Sequence, residues 1–155
     1  MIIRRMEKRD LNETSLIHKK AFIRQHHSYQ WLECNLNAFP RIFCYVAIDN
    51  DTIVGYIIWS QKSGFRSEVI LELEQIAVSE QHRGNGVGQS LISQSLVDLK
   101  NYLMNQGSIL KHITVTTRAD NQAQNLYKRT LGAEVEATIS NLYSADEVFM
   151  VARNV

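Results

Sequence analysis

Proline is nearly missing from this 155-residue chain, Pro40 being the only one, so no Pro-rich linker divides it. Cysteine is sparse: Cys34 and Cys44 are too few for a disulfide framework and lack Cys-x-x-Cys spacing, which points to thiols in a reducing compartment. Charge is balanced, with 17 Lys+Arg against 16 Asp+Glu and a formal net charge of +1, so the broad basic field that a nucleic-acid partner needs is lacking. Long apolar runs are absent, and a stretch such as Ile53 to Trp59 is far too short for a bilayer span. The opening Met1-Ile2-Ile3-Arg4-Arg5-Met6-Glu7-Lys8-Arg9-Asp10 has basic residues without an apolar core behind them, so no export signal is expected and the cytoplasm is the expected location. His18, His26-His27, His82 and His112 show no ligand spacing, and no metal site is predicted.

The remaining composition, 45% apolar and 21% charged, is that of a soluble globular chain long enough to bury a core. No repeat or low-complexity segment interrupts it, and a single domain over 1–155 is expected. Ile2 to Met6 reads as a strand. Asp10-Leu11-Asn12-Glu13 has capping-box spacing and predicts a helix to about Arg24. Tyr29, Leu32, Leu36 and Phe39 recur at helical intervals after Ser28, with Pro40 ending the pattern. Phe43 to Ile48 and Thr52 to Ser60 flank Asp49-Asn50-Asp51, a hairpin composition. Val69 to Val78 predicts the next strand. Val87, Leu91, Ile92, Leu96, Leu99 and Leu103 share one face of a helix closed near Gly107. His112 to Thr117 predicts a strand, Asn121 to Leu131 a helix, and Glu134 to Ile139 with Val148 to Arg153 a closing strand pair. The order is β-α-α-β-β-β-α-β-α-β-β, an α/β (α+β) chain with a mixed central sheet flanked by helices.

The strand ending at Val78 runs through Ser79-Glu80-Gln81-His82 into Arg83-Gly84-Asn85-Gly86-Val87-Gly88 and then a helix. Glycines let the backbone take positive φ and bring N–H groups close to an anion, and the helix N-terminus and Arg83 add positive charge. A P-loop would need a Lys-Ser/Thr after the last glycine, where this chain has Gln89-Ser90; a dinucleotide fingerprint would space its glycines differently. The arrangement reads as a pyrophosphate site, with His82 at its border.

Arg83 to Gly88 resembles the Gln/Arg-x-x-Gly-x-Gly/Ala signature of the GCN5-related N-acetyltransferases (GNAT), and the element order resembles that family's fold over nearly the entire chain. The resemblance implies acetyl-CoA as cofactor, its pyrophosphate on Arg83, Gly84, Asn85, Gly86, Val87 and Gly88. It also implies splayed fourth and fifth strands, with the pantetheine arm bonding backbone groups of Ile76, Ala77 and Val78. A second family signature, Asn-x-x-Ala-x-x-x-Tyr followed by Gly-Phe, is met by Ala123 and Tyr127. Asp120 stands where Asn is usual, Asn121 comes one place late, and Gly132 comes five residues after the tyrosine instead of four. Asp120 reads as an N-cap accepting from Gln122 or Ala123, while Asn121 or Asn125 remains a pantetheine contact.

Acetylating an amine requires removing a proton from an ammonium whose free pKa is about 10.4. Glu72 and Glu74 share one strand face with Ile76 and Val78 and are the candidate bases, Glu74 first, because polyamine-type relatives resemble this chain in that spacing. Histone-type relatives place the base at the position of Glu72. Tyr127 is the candidate acid for the departing thiolate, and also a core residue on the stripe Ala123, Leu126 and Tyr127. Cys44 reads as core. Tyr29, Trp31 and Glu33 either border the acceptor site, as the resemblance implies, or belong to the core. The expected activity is direct acetyl transfer in a ternary complex to a primary amine of a small molecule or peptide, with a strand N–H polarising the thioester. The alternative is a non-catalytic acyl-CoA-binding or sensor module. No nucleic acid or membrane partner is expected, and a homodimer is compatible with this reading.

Overall fold

The computed structural model describes residues 1–155. Its elements are β1 (Ile2–Arg5), α1 (Leu11–Ala21), α2 (Ser28–Asn37), β2 (Ile42–Asp49), β3 (Thr52–Gln61), β4 (Glu68–Val78), α3 (Val87–Asn105), β5 (Ile109–Arg118), α4 (Ala123–Leu131), β6 (Glu134–Ile139) and β7 (Glu147–Arg153). This is the order expected from periodicity. The strands form one seven-stranded sheet in the order β1-β2-β3-β4-β5-β7-β6. The β1–β2, β2–β3, β5–β7 and β6–β7 ladders are antiparallel, and β4–β5 is parallel.

By its internal contacts the chain divides into two compact units, Met1–Ser60 with Gln75–Asp98, and Gln61–Glu74 with Leu99–Val155. In the first, β2 and β3 are joined by Asn50 and Asp51, both at positive φ (47° and 59°), the conformation a tight two-residue hairpin demands. One core cluster gathers Leu11 and Ile17 of α1, Leu32 of α2, Cys44 and Val46 of β2, Tyr56 and Ile58 of β3, and Ala77 of β4. Gly55 admits a close approach: a Cβ there would lie 2.9 Å from the Ala77 carbonyl oxygen and 3.2 Å from Leu91 Cδ1.

In the second unit, alternation along β4, β5 and β7 buries Leu71, Leu73, Ile113, Val115, Val148, Met150 and Ala152. The opposite face carries Glu72, Thr114, Thr116, Phe149 and Val151, all half-buried. Registered β4–β5 pairs end at Glu72 with Thr114, although β4 runs on to Val78 and β5 to Arg118. Helix α3 closes as expected at Gly107 (φ 78°): the Ser108 N–H donates to Leu103 O (2.9 Å) and the Gly107 N–H to Met104 O (3.0 Å), the paired bonds of a Schellman end.

Several boundaries differ from expectation. Helix α1 stops at Ala21, three residues short of Arg24, and Asp10 does not cap it. The Asp10 carboxylate instead accepts from the Glu7 N–H (2.7 Å) and from Arg4 Nη1 and Nη2 (2.7 and 2.9 Å), while Glu13 accepts from the Ile53 N–H (2.8 Å). Asp10 thus closes a capping box with Glu7 on the short 3-10 turn Lys8–Asp10 ahead of α1, and only Glu13 is taken by a distant donor. Helix α2 ends at Asn37, before Phe39 and Pro40.

Candidate active site

The turn after β4 has the geometry of an anion cradle. Gly84 and Gly86 sit at φ 79° and 77°, and a Cβ at either would meet no heavy atom within 4 Å. Gly88 differs from expectation: it is inside α3 and needs no positive φ. Val87, the first residue of that 19-residue helix, is buried and anchors its start, and the Ser90 N–H donates to Gly86 O (3.0 Å). The first turn of any helix directs N–H groups outward without intrahelical acceptors, so the residues present suit a pyrophosphate. Arg83 and Asn85 are exposed. Arg83 Nε donates to Val78 O (3.2 Å), which sets the guanidinium beside the turn. His82 Nδ1 shares a hydrogen bond with Ser79 Oγ (2.8 Å), and the Ser79 N–H donates to Val54 O (2.8 Å), tying the turn to β3.

On β4, Glu72, Ile76 and Val78 are half-buried and Glu74 is exposed, alternating with buried Leu71, Leu73, Gln75 and Ala77. Glu72 is held by Lys62 Nζ at 2.6 Å, so its carboxylate already has a cation. In the same unit Tyr127 lies on α4, 5% exposed, with its phenol pushed up to about 12 by burial. At neutral pH it keeps its proton, as an acid must.

The start of α4 corrects one assignment. Asp120 is not the cap; it forms a two-point pair with Arg118, Nε to Oδ1 and Nη2 to Oδ2, both 3.0 Å. The residue after it, Asn121, accepts the Ala123 N–H on Oδ1 (2.9 Å) and donates from Nδ2 to Thr117 Oγ1 (2.9 Å). The late asparagine thus has a structural task of its own. Asn125 is exposed and donates weakly to Gln122 Oε1 (3.4 Å).

Sequence reasoning missed a buried polar network in the first unit. Gln75 Oε1 accepts from Trp31 Nε1 (2.9 Å) and Tyr56 OH (3.1 Å), and Gln75 Nε2 donates to Gln25 Oε1 (2.9 Å). Gln25 Oε1 also meets His18 Nε2 (3.0 Å), and since a carbonyl oxygen only accepts, the imidazole hydrogen is on Nε2; Nδ1 faces Ser28 Oγ (2.8 Å). Burial holds fully enclosed His18 below the usual imidazole range. The network joins the α1–α2 connection to β4, and it gives Trp31 a core-side partner. Tyr29 also packs on the core, whereas Glu33 is half-buried. No local signal marks such a network, because its members are 7 to 57 residues apart in sequence.

The profile of the acetyltransferase (GNAT) family matches residues 9–133. No curated protein matches the chain. Among solved structures, an aminoglycoside 6'-N-acetyltransferase complexed with coenzyme A is 16% identical, with TM-score 0.78, 100% of this chain and 98% of that one covered. The ribosomal-protein-alanine N-acetyltransferase of Brucella melitensis is 20% identical, with TM-score 0.76 and 99% of each chain covered. Arabidopsis thaliana NAA60 in complex with a bisubstrate analogue is 17% identical, with TM-score 0.79, 97% of this chain and 95% of that one covered. The chain belongs to the acetyltransferase (GNAT) family, whose members are acetyl-CoA-dependent N-acetyltransferases.

Proposed function

We propose that the protein transfers the acetyl group of acetyl-CoA directly to a primary amine of a small molecule or peptide, and that 1–155 is one catalytic domain. The single observation that carries the reading is the pair of positive-φ glycines at the N-terminus of α3 within the matched family segment. Arg83 and the turn Gly84–Gly88 bind the pyrophosphate, backbone groups of Ile76, Ala77 and Val78 take the pantetheine arm, and Asn121 and Ala123 border it. When bound, acetyl-CoA supplies an activated acetyl thioester.

Glu74 removes the proton from the acceptor ammonium, directly or through one water. It is preferred to Glu72 on the spacing that polyamine-type relatives share with this chain. A β4 backbone N–H polarises the thioester carbonyl, and Tyr127 returns a proton to the departing thiolate. Cytoplasmic location is proposed on the two free thiols and on the lack of any helix long and apolar enough to cross a membrane. A homodimer is compatible with the reading, and sedimentation would count protomers.

The test is a screen of the purified protein with acetyl-CoA against alkyl amines, polyamines, aminoglycosides and peptide N-termini. Thiol release matched by acetyl gain on the acceptor is expected. Protein that binds acetyl-CoA yet releases no thiol with any amine would instead be an acyl-CoA-binding module.

A further inference from the structure

Gln75, on the last stretch of β4, is a buried amide, 7% exposed, whose orientation is dictated by its neighbours. The Trp31 indole can only donate, so Gln75 must turn Oε1 toward it (2.9 Å), and the Tyr56 hydroxyl gives a second hydrogen to the same oxygen (3.1 Å). Nε2 is then left for Gln25, which must answer with Oε1 (2.9 Å). That oxygen also takes the Nε2 hydrogen of His18 (3.0 Å), and Nδ1 of the same ring is left to accept from Ser28 Oγ (2.8 Å). One obligate donor therefore fixes the direction of the whole chain of bonds, and turning either amide would leave a polar group at the Gln75 end unpaired.

The tie falls where β4 has lost a neighbour. Registered pairs with β5 stop at Glu72 and Thr114, and β4 runs on to Val78 with no β5 residue in register. At its end this stretch is held by the Ser79 N–H donating to Val54 O (2.8 Å) and by Arg83 Nε donating to Val78 O (3.2 Å). Further back, Gln75 joins it to α2 through Trp31, to β3 through Tyr56, and to the α1–α2 connection through Gln25. Strand N–H and C=O groups lie in the plane of the sheet while side chains stand on its faces, so a tie from one face fixes the direction of the edge groups and leaves the edge free. An apolar side chain in place of Gln75 would fill the same space without fixing that direction.

We propose that Gln75 is a positioning residue for the thioester arm of acetyl-CoA: it holds the backbone groups of Ile76, Ala77 and Val78 in the direction that the pantetheine meets, before the cofactor arrives. This rests on the acetyl-CoA reading above, and it assigns a task that neither the glycine turn nor the proposed acid and base perform. Binding to a preformed edge avoids the cost of ordering it on arrival. The effect therefore belongs to the arm and not to the pyrophosphate, which Arg83 and the turn Gly84–Gly88 take.

Calorimetric titration of acetyl-CoA and of adenosine 3'-phosphate 5'-diphosphate, which keeps the pyrophosphate and lacks the pantetheine, into the wild-type protein and Gln75→Met tests this. Methionine keeps the length of the side chain and removes its hydrogen bonds. Acetyl-CoA affinity should fall about tenfold or more in the variant, while that of the diphosphate holds within about twofold. In the cofactor-free variant, amide hydrogen exchange over Ile76–Val78 should quicken about tenfold with that of α3 unchanged. Tyr56→Phe, which deletes one hydroxyl and spares the packing, is the second variant and decides the matter if Gln75→Met does not fold. About threefold weaker acetyl-CoA with unchanged diphosphate is expected for it. Equal losses for both ligands, or unchanged acetyl-CoA affinity in a folded variant, overturn the proposal and make the network a packing device. Wild-type protein that binds acetyl-CoA no more tightly than the diphosphate fails differently: it removes the pantetheine assignment itself, and the proposal with it, before any variant is made.

Discussion

Glu72 and Glu74 are two residues apart on one strand, Glu72 half-buried and Glu74 exposed. Glu72 is engaged by Lys62 Nζ at 2.6 Å. Glu74→Gln is expected to lower turnover by roughly 10²–10⁴-fold at neutral pH, with partial recovery at high pH where the amine deprotonates unaided. Glu72→Gln should cost far less. Steady-state rates across pH decide it, and a pH-dependent loss confined to Glu72→Gln would move the base. Tyr127→Phe removes one hydroxyl from a buried ring whose phenol burial pushes up to about 12. The ring packing should survive, so the melting temperature should hold while turnover falls and the acceptor KM stays put. A lower melting temperature with intact turnover would make that hydroxyl structural.

At the scale of elements, two glycines near the same turn should respond in opposite ways. Gly86→Val meets no protein atom but forces a β-branched residue to φ 77°, costing about 1–2 kcal/mol in folding while filling the cradle, so coenzyme A affinity should drop much more than stability. Gly55→Ala would place a Cβ 2.9 Å from the Ala77 carbonyl oxygen. It should destabilise the fold by about 1–3 kcal/mol in a denaturant titration. Elements were legible in the sequence wherever a local pattern decides them: β6 was expected over Glu134 to Ile139 and spans that range, and α3 ends where Gly107 predicts. Where a competing donor intervenes, the local signal misleads. Asp10 looked like the cap of α1 but is taken by Arg4 and the Glu7 N–H; Asp120 looked like a cap and is held by Arg118, two residues earlier. The glycine turn was legible because its backbone conformation is written in residue type. The Gln75 network was not, since pairing between residues far apart in sequence is a property of the folded chain alone.

For the whole molecule, burial of acids and phenols sets the pH range of stability. Asp10 is lowered from its usual 3.8: burial alone would raise it, but hydrogen bonds from Arg4 and the Glu7 N–H prevail. Asp98 is lowered likewise, burial being outweighed by the Tyr45 hydroxyl and Arg5. Both contributions are present above the usual value and are lost as pH falls through the lower folded values. Cys44 rises by burial from 9.0, and then by Cys34, to about 12, and Tyr127 by burial from 10.0 to about 12. Their contributions are complete below the usual values and vanish as pH rises through the folded ones. His18, held low by burial, adds a loss as pH falls below the usual imidazole value of 6.5, so stability should be highest from about pH 7 to 8 and fall above about pH 9, which urea midpoints across pH would record.

Direct acetyl transfer requires acetyl-CoA and the amine to be bound together in a ternary complex. Initial rates with acetyl-CoA and a primary amine varied together test it most directly. Intersecting double-reciprocal lines with amide product equal to thiol released are predicted; parallel lines, or thiol release without acetylated amine, would contradict the account.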